Sequence, residues 1–159
     1  MKRIAAVMLL VVAALVLTFG AVVAANSKTV YRTELSGAAT DSSGHGNAVF
    51  MFADDGSSMK YKLVVNGLNN TTQAHIHVAA VPGGNGPIVL WLYPDGPPLS
   101  LIEGIFNGLL GGRTVTSADL TGAAGIATLE DLRAAIEDGR AYVNVHTTLF
   151  PGGEIRGNF

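Results

Sequence analysis

Met59-Lys-Tyr-Lys-Leu-Val-Val65, followed at once by Asn66-Gly67, sets Met59, Tyr61, Leu63 and Val65 on one side of an extended chain and Lys60, Lys62 and Val64 on the other. Side chains alternate across a strand, so this is the pattern of a β-strand with one apolar and one wetter face. Asn66-Gly67 predicts its close, since both residues tolerate turn conformations. Gln73–Ala80 then reads as a further strand with two faces, Ala74, Ile76 and Val78 on one and His75 and His77 on the other. The uninterrupted apolar run Ile88–Tyr93, Trp91 included, predicts a strand buried on both sides.

Working outward, Thr29–Leu35 and Ala48–Ala53 are β-prone runs separated by the glycine-rich stretch Ser36–Asn47. Asp54-Asp55-Gly56 predicts a type I′ hairpin turn. It lacks the Asp-x-Asp-x-Asp-Gly spacing of a calcium loop. Residues 94–128, rich in proline and glycine, predict one or two irregular strands around Ile102–Thr116. A single helix follows: Thr128 caps it, Asp131 completes the capping box, Leu129, Leu132, Ala135 and Ile136 form its apolar stripe, and Gly139 ends it. Ala141–Thr147 and Glu154–Asn158 close the chain as strands joined by Phe150-Pro-Gly-Gly153. Many short strands with Gly/Pro turns and one helix near 129–138 predict an all-β, Greek-key sandwich or barrel, superoxide dismutase-like or immunoglobulin-like.

Ahead of this domain, Lys2 and Arg3 precede an uncharged, nearly continuous apolar run from Ile4 to Ala25. A basic start, an apolar middle and the small residues Val23-Ala-Ala25 form the pattern of a secretory signal. The run is also long enough for an uncleaved membrane anchor. Either reading predicts an N-terminal helix over residues 1–25, an exported domain over 26–159, and membrane contact only through residues 4–25. The chain has 48% hydrophobic residues, and much of that belongs to this segment. Without Lys2 and Arg3 the net charge of −2 becomes −4. With a pI near 6.0 there is no basic footprint for nucleic acid. There is no cysteine, which excludes disulfide scaffolds and cysteine-ligated zinc and leaves any metal chemistry to histidine.

Four histidines are present. His75 and His77 share a strand face, and in Ala141–Thr147 the pair Val143 and Val145 leaves Tyr142, Asn144 and His146 on the opposite face. If the two strands are neighbours, three imidazoles converge, a donor set for copper or zinc. The alternative is that these histidines simply hydrogen-bond backbone or carboxylate groups beneath a loop. Glu154 and Arg156 share a face of the last strand, as a cross-strand ion pair or with Glu154 orienting a histidine from behind. His45, in the glycine-rich stretch, is read as incidental. Asn69-Asn-Thr-Thr72 holds two overlapping glycosylation sequons. No Gly-x-Ser-x-Gly elbow, phosphate loop or dinucleotide fingerprint occurs.

Five segments in order, Tyr61-Lys-Leu-Val-Val-Asn-Gly-Leu68, Ala74-His-Ile-His77, Gly84-Asn-Gly-Pro-Ile-Val89, Ala141-Tyr-Val-Asn-Val-His-Thr147 and Pro151-Gly-Gly-Glu-Ile-Arg-Gly157, resemble the CHRD domain. That repeat is named after chordin and occurs also as single copies in exported microbial proteins. The resemblance runs from about Thr29 to Phe159, with Pro94–Gly112 longer than the family pattern. It implies an extracytoplasmic β domain without established catalytic activity. Chordin's binding of bone morphogenetic proteins does not carry over to a single domain, because function belongs to sites. A more distant likeness to copper–zinc superoxide dismutase implies copper-ligand-like positions for His75, His77 and His146 and an anion-guiding role for Arg156. The chain departs from that family in having no disulfide, bridging histidine or zinc cluster. The leading expectation is a non-catalytic surface or matrix module that engages an extracellular protein or polymer, with Trp91 and the Tyr93-Pro-Asp-Gly-Pro-Pro loop as contact candidates. Trp91 is otherwise read as core. The alternative is a copper- or zinc-binding module, and the last a dismutase-like redox enzyme.

Overall fold

The computed structural model describes residues 29–159; the expected signal or anchor over residues 1–25, with its helix, lies outside the described residues. Among the described residues no helix is long and apolar enough to cross a membrane. The elements are β1 (Thr29–Gly37), β2 (Ser42–Phe52), β3 (Met59–Val78), β4 (Ile88–Tyr93), β5 (Ile102–Gly111), β6 (Thr114–Val115), α1 (Leu129–Glu137), β7 (Ala141–Thr147) and β8 (Ile155–Asn158). All pairings are antiparallel. β2 pairs with β1, β1 with β8, β8 with β7, β7 with β3, and β3 returns to β2, so five strands close a barrel. The choice between sandwich and barrel thus falls to the barrel. Closure depends on the length of β3: residues Met59–Asn66 pair with β2 and Thr71–Val78 with β7, which leaves neither partner with an open edge along this seam.

β3 also corrects the reading of Asn66-Gly67, which does not end a strand. Core positions run Met59, Tyr61, Leu63, Val65 and then Leu68, Ala74, Ile76, Val78, so their parity changes across Gly67. Gly67 has φ +71°, and the pairing with β5 shifts register between Val65 and Leu68. The positive φ that suits a turn also suits a bulge, in which one extra residue bends a continuous strand. The bulged amide stays satisfied, since Gly67 N–H donates to Asn107 Oδ1 at 2.8 Å.

Three further expectations change. Ser36–Asn47 is largely paired, not a loop: Ser36 lies opposite His45 and Leu35 opposite Gly46, with only Ala38–Asp41 turning. The hairpin at Asp54-Asp55-Gly56 is a six-residue connection, Ala53–Ser58; Gly56 alone has positive φ there, and Asp55 Oδ1 accepts from Ser57 N–H. β4 is not buried throughout: Val89, Leu90 and Leu92 are buried, while Ile88, Trp91 and Tyr93 are half-buried. Trp91 therefore lies outside the core.

α1 has the expected cap. Thr128 Oγ1 accepts from Asp131 N–H at 3.1 Å, Asp131 Oδ2 accepts from Thr128 N–H at 2.8 Å, and Leu129, Leu132, Ala135 and Ile136 are buried. Those four join Phe50, Tyr61, Ile76, Leu90, Val145 and Ile155 in one core. Residues 94–128 hold β5 and β6, and β5 follows β3 with three register shifts, as irregular as its glycines suggest. In the sequons, Asn69 is exposed on β3, and Asn70 Oδ1 is engaged by Gly104 N–H.

Candidate metal centre

Beyond the bulge the even-numbered residues of β3 face the core, so His75 and His77 point away from it. On β7, Val143 and Val145 fill the core and His146 points to the same outer side. The antiparallel register places His75 opposite Asn144 and Gln73 opposite His146, which brings His146 diagonally against His75. His75 Nδ1 lies 3.3 Å from His146 Nε2. One ligand atom from each of His75, His77 and His146 falls within 4.8 Å of the other two. All three are buried although they lie outside the barrel core, with relative exposures of 0%, 8% and 6% in that order.

The cover comes from rings and turns. The Trp91 indole meets His75 edge to face at 4.3 Å between centroids. The Tyr142 ring stacks on His77 at 4.8 Å with an interplanar angle of 5°. Two backbone carbonyls orient the imidazoles: His77 Nδ1 donates to Gly86 O and His146 Nδ1 to Pro151 O, each at 2.9 Å. A carbonyl can only accept, so each of these rings carries its proton on Nδ1 and presents the Nε2 lone pair. The Nε2 atoms of His75 and His77 are buried without a hydrogen-bond partner.

Burial holds the cluster neutral. It pushes His75 down to about 3, helped by the charges that His146 and His77 would carry. His77 is lowered by burial first, against the bond to Gly86 O and together with His146 and Arg156. His146 is lowered by burial, against its bond to Pro151 O. Neutral imidazole is the form that ligates a metal.

Glu154 and Arg156 serve elsewhere. The Glu154 carboxylate accepts from Ser42 Oγ and Thr147 Oγ1, both at 2.6 Å, and touches no histidine. Thr147 follows His146 on β7 and points to the opposite face, which takes Glu154 away from the imidazoles. Orientation from behind thus falls to the carbonyls of Gly86 and Pro151, not to this carboxylate. Arg156 makes no ion pair with Glu154. Its guanidinium lies over Tyr142, 3.5 Å from the ring centroid, and donates to Gly84 O and Asn85 Oδ1 at 2.6 Å and to Asn158 Oδ1 at 3.0 Å. It thereby ties the turn that carries Gly86 to β8. His45 lies exposed on β2, apart from the cluster, with Nδ1 against Ser43 O.

Two participants, Gly86 and Pro151, escape the residue-by-residue reading, which also gives Trp91 and Tyr142 no part in covering the histidines. The signal for the first two lies in the turn segments Gly84-Asn-Gly-Pro87 and Pro151-Gly-Gly153, whose carbonyls are what a buried imidazole needs.

A closed antiparallel barrel with this polar cluster on its flank is the setting in which the comparisons with known proteins fall. The family model of the CHRD domain matches residues 31–159, essentially all that the structure describes, and the chain belongs to the CHRD family. Neither a curated protein nor a solved structure matches it.

Proposed function

We propose that this CHRD domain is a non-catalytic, extracytoplasmic metal-binding module that takes copper or zinc through His75, His77 and His146. The observation that carries the reading is the pair of buried Nε2 atoms without partners, on His75 and His77, inside a three-imidazole cluster. Leaving a buried polar atom unsatisfied costs about 1–3 kcal/mol each. Hydrogen bonding alone accounts for His146, whose Nδ1 meets Pro151 O and whose Nε2 meets His75 Nδ1 at 3.3 Å, but it leaves Nε2 of His75 and of His77 buried in the cluster with nothing to accept from. A metal satisfies them together, and the carbonyls of Gly86 and Pro151 supply the outer contacts that usually orient ligating histidines.

The test is metal analysis of the purified protein beside the His75→Ala/His77→Ala variant after exposure to copper and zinc. One equivalent retained by the parent and none by the variant is the expected result. Equal, negligible uptake by both would end this reading. Export rests on the Ile4–Ala25 run, and N-terminal sequencing of the protein recovered from the host separates cleavage after Ala25 from retention of the segment.

A second reading has its own support. Ile105 and Leu109 on β5, with Leu99 and Leu101 just before it, are exposed by 47–76% together with Leu149. Apolar side chains grouped on one element suit contact with an extracellular protein or polymer. An Ile105→Glu/Leu109→Glu variant that is released from the cell surface or matrix while the parent stays bound would support it; identical retention would count against it.

A further inference from the structure

The metal itself can be narrowed, on the assumption that the three-histidine site binds one. We infer that the site selects monovalent copper over zinc. Three observations converge on this.

The first is ligand number. Among the described residues the cluster offers three imidazoles and no fourth side-chain donor. The nearby carboxylate, Glu154, is occupied by Ser42 and Thr147. The Tyr142 hydroxyl is engaged with the Gly86 backbone. Zinc in a structural site takes four ligands, and in a catalytic site three plus a water. Monovalent copper, with a filled d shell and low charge, is content with two or three neutral nitrogens.

The second is room. A site with a ligated water needs an open position beside the metal. Here the Trp91 indole and the Tyr142 ring press on His75 and His77, and none of the three histidines is more than 8% exposed.

The third is charge. All three ligands are neutral, and the charged group nearest the stack is itself a cation: Arg156 lies over Tyr142, which lies on His77. The cost of burying an ion grows with the square of its charge, so a dication pays about four times the desolvation of a monocation. No carboxylate faces the imidazoles to offset it. Divalent copper carries the same penalty and prefers a tetragonal set of donors.

The discriminating experiment is a pair of competition titrations on the purified full chain under anaerobic conditions. Bicinchoninate competes for Cu(I), and a chromophoric zinc chelator competes for Zn(II). The sole tryptophan, Trp91, adds a fluorescence readout because it touches His75. We expect one equivalent of Cu(I) bound at least ~1,000-fold more tightly than zinc, with quenching of Trp91. His77→Ala, which leaves two imidazoles, should weaken Cu(I) binding, and His75→Ala/His77→Ala should lose Cu(I) binding and quenching together. Arg156→Gln, which keeps hydrogen-bonding capacity and removes the charge, should narrow the preference by strengthening zinc more than Cu(I), because the repulsion scales with the charge of the ion. Zinc binding as tight as Cu(I), with one equivalent held, would overturn the selectivity and leave the metal site standing. Failure of both metals to bind would remove the site itself.

Discussion

From Met59 to Val65, β3 buries Met59, Tyr61, Leu63 and Val65 and leaves Lys60 and Lys62 exposed; from Ala74 to Val78 it buries all five residues. One strand, continuous through the bulge at Gly67, therefore runs in two environments. Its first half is a half-wet barrel strand held by β2. Its second half is covered on the outer face as well, by Trp91, Tyr142 and the turns that carry Gly86 and Pro151. What lies beneath that cover is imidazole, not hydrocarbon. Burying polar groups costs stability, and the proposed metal site would offset that cost for an outer layer built over histidines. The first half shows what the barrel alone requires.

The core faces of the two halves should be equivalent, and this gives the largest expected effect. Leu63→Ala and Ile76→Ala each empty a fully buried site of the same core. Each should cost ~2–5 kcal/mol in urea unfolding of the metal-free protein, without a change of fold. A markedly smaller loss for Ile76→Ala would break the comparison, since the histidine half would then not be seated on the common core.

The outer faces should differ, and pH separates them. His75 sits near 3 in the native protein against 6.5 when unfolded, through burial first and the neighbouring imidazoles second. A depressed native value means that the unfolded chain binds the proton more readily. Stability is complete above pH 6.5 and is lost as pH falls through that value toward 3. By pH 4 the metal-free protein should have lost on the order of 3 kcal/mol relative to pH 7, read from urea midpoints. The carboxylates with lowered values, Asp55, Asp119 and Asp131, lose their contribution only as pH falls through 3.8, so the window from 6.5 to 4.5 belongs to the imidazoles. His75→Gln should flatten the curve in that window. An equally steep fall in the variant would show that another group is being protonated.

How far this division could be read in advance depends on what kind of interaction wrote it. Strict alternation made Met59–Val65 legible, and the shared faces of His75, His77 and His146 were legible for the same reason. Whether β3 and β7 would be neighbours was not, because pairing between residues so far apart in the chain leaves no local periodicity. Asn66-Gly67 misled, since a positive φ serves a hairpin and a bulge alike and only the lengths of the partner strands choose between them. Trp91 misled because an apolar run does not say which of its side chains covers a polar cluster. Glu154 misled because its strand face was inferred from Glu154-Ile-Arg156, whereas β8 begins only at Ile155 and the carboxylate turns toward Thr147.

The joint between the halves gives a smaller effect. Gly67 has φ +71°, and an added Cβ would meet nothing closer than Gly44 Cα at 3.9 Å. The strain in Gly67→Ala is therefore conformational only, about 1 kcal/mol. Thermal unfolding should register that loss while metal uptake is unchanged, because the bulge survives. Loss of metal binding along with stability would mean that the bulge sets the position of His75 and His77 more delicately than a simple change of parity.

The smallest effect belongs to the outer face of the first half. Lys62 is exposed and makes no ion pair among the described residues, although it occupies on that half the outward position that a histidine occupies on the other. Lys62→Ala should change stability by less than ~0.5 kcal/mol, within the usual span for surface substitutions. It should also leave metal uptake and the pH profile as in the parent. That silence is informative because Lys62 and His77 both lie on β3 between core residues, each with its own side chain outward. Any difference between the two positions then comes from the cover over the second half. A substantial cost for Lys62→Ala would mean that the first half has an outer layer of its own, and the contrast that supports the proposed metal site would lose its reference.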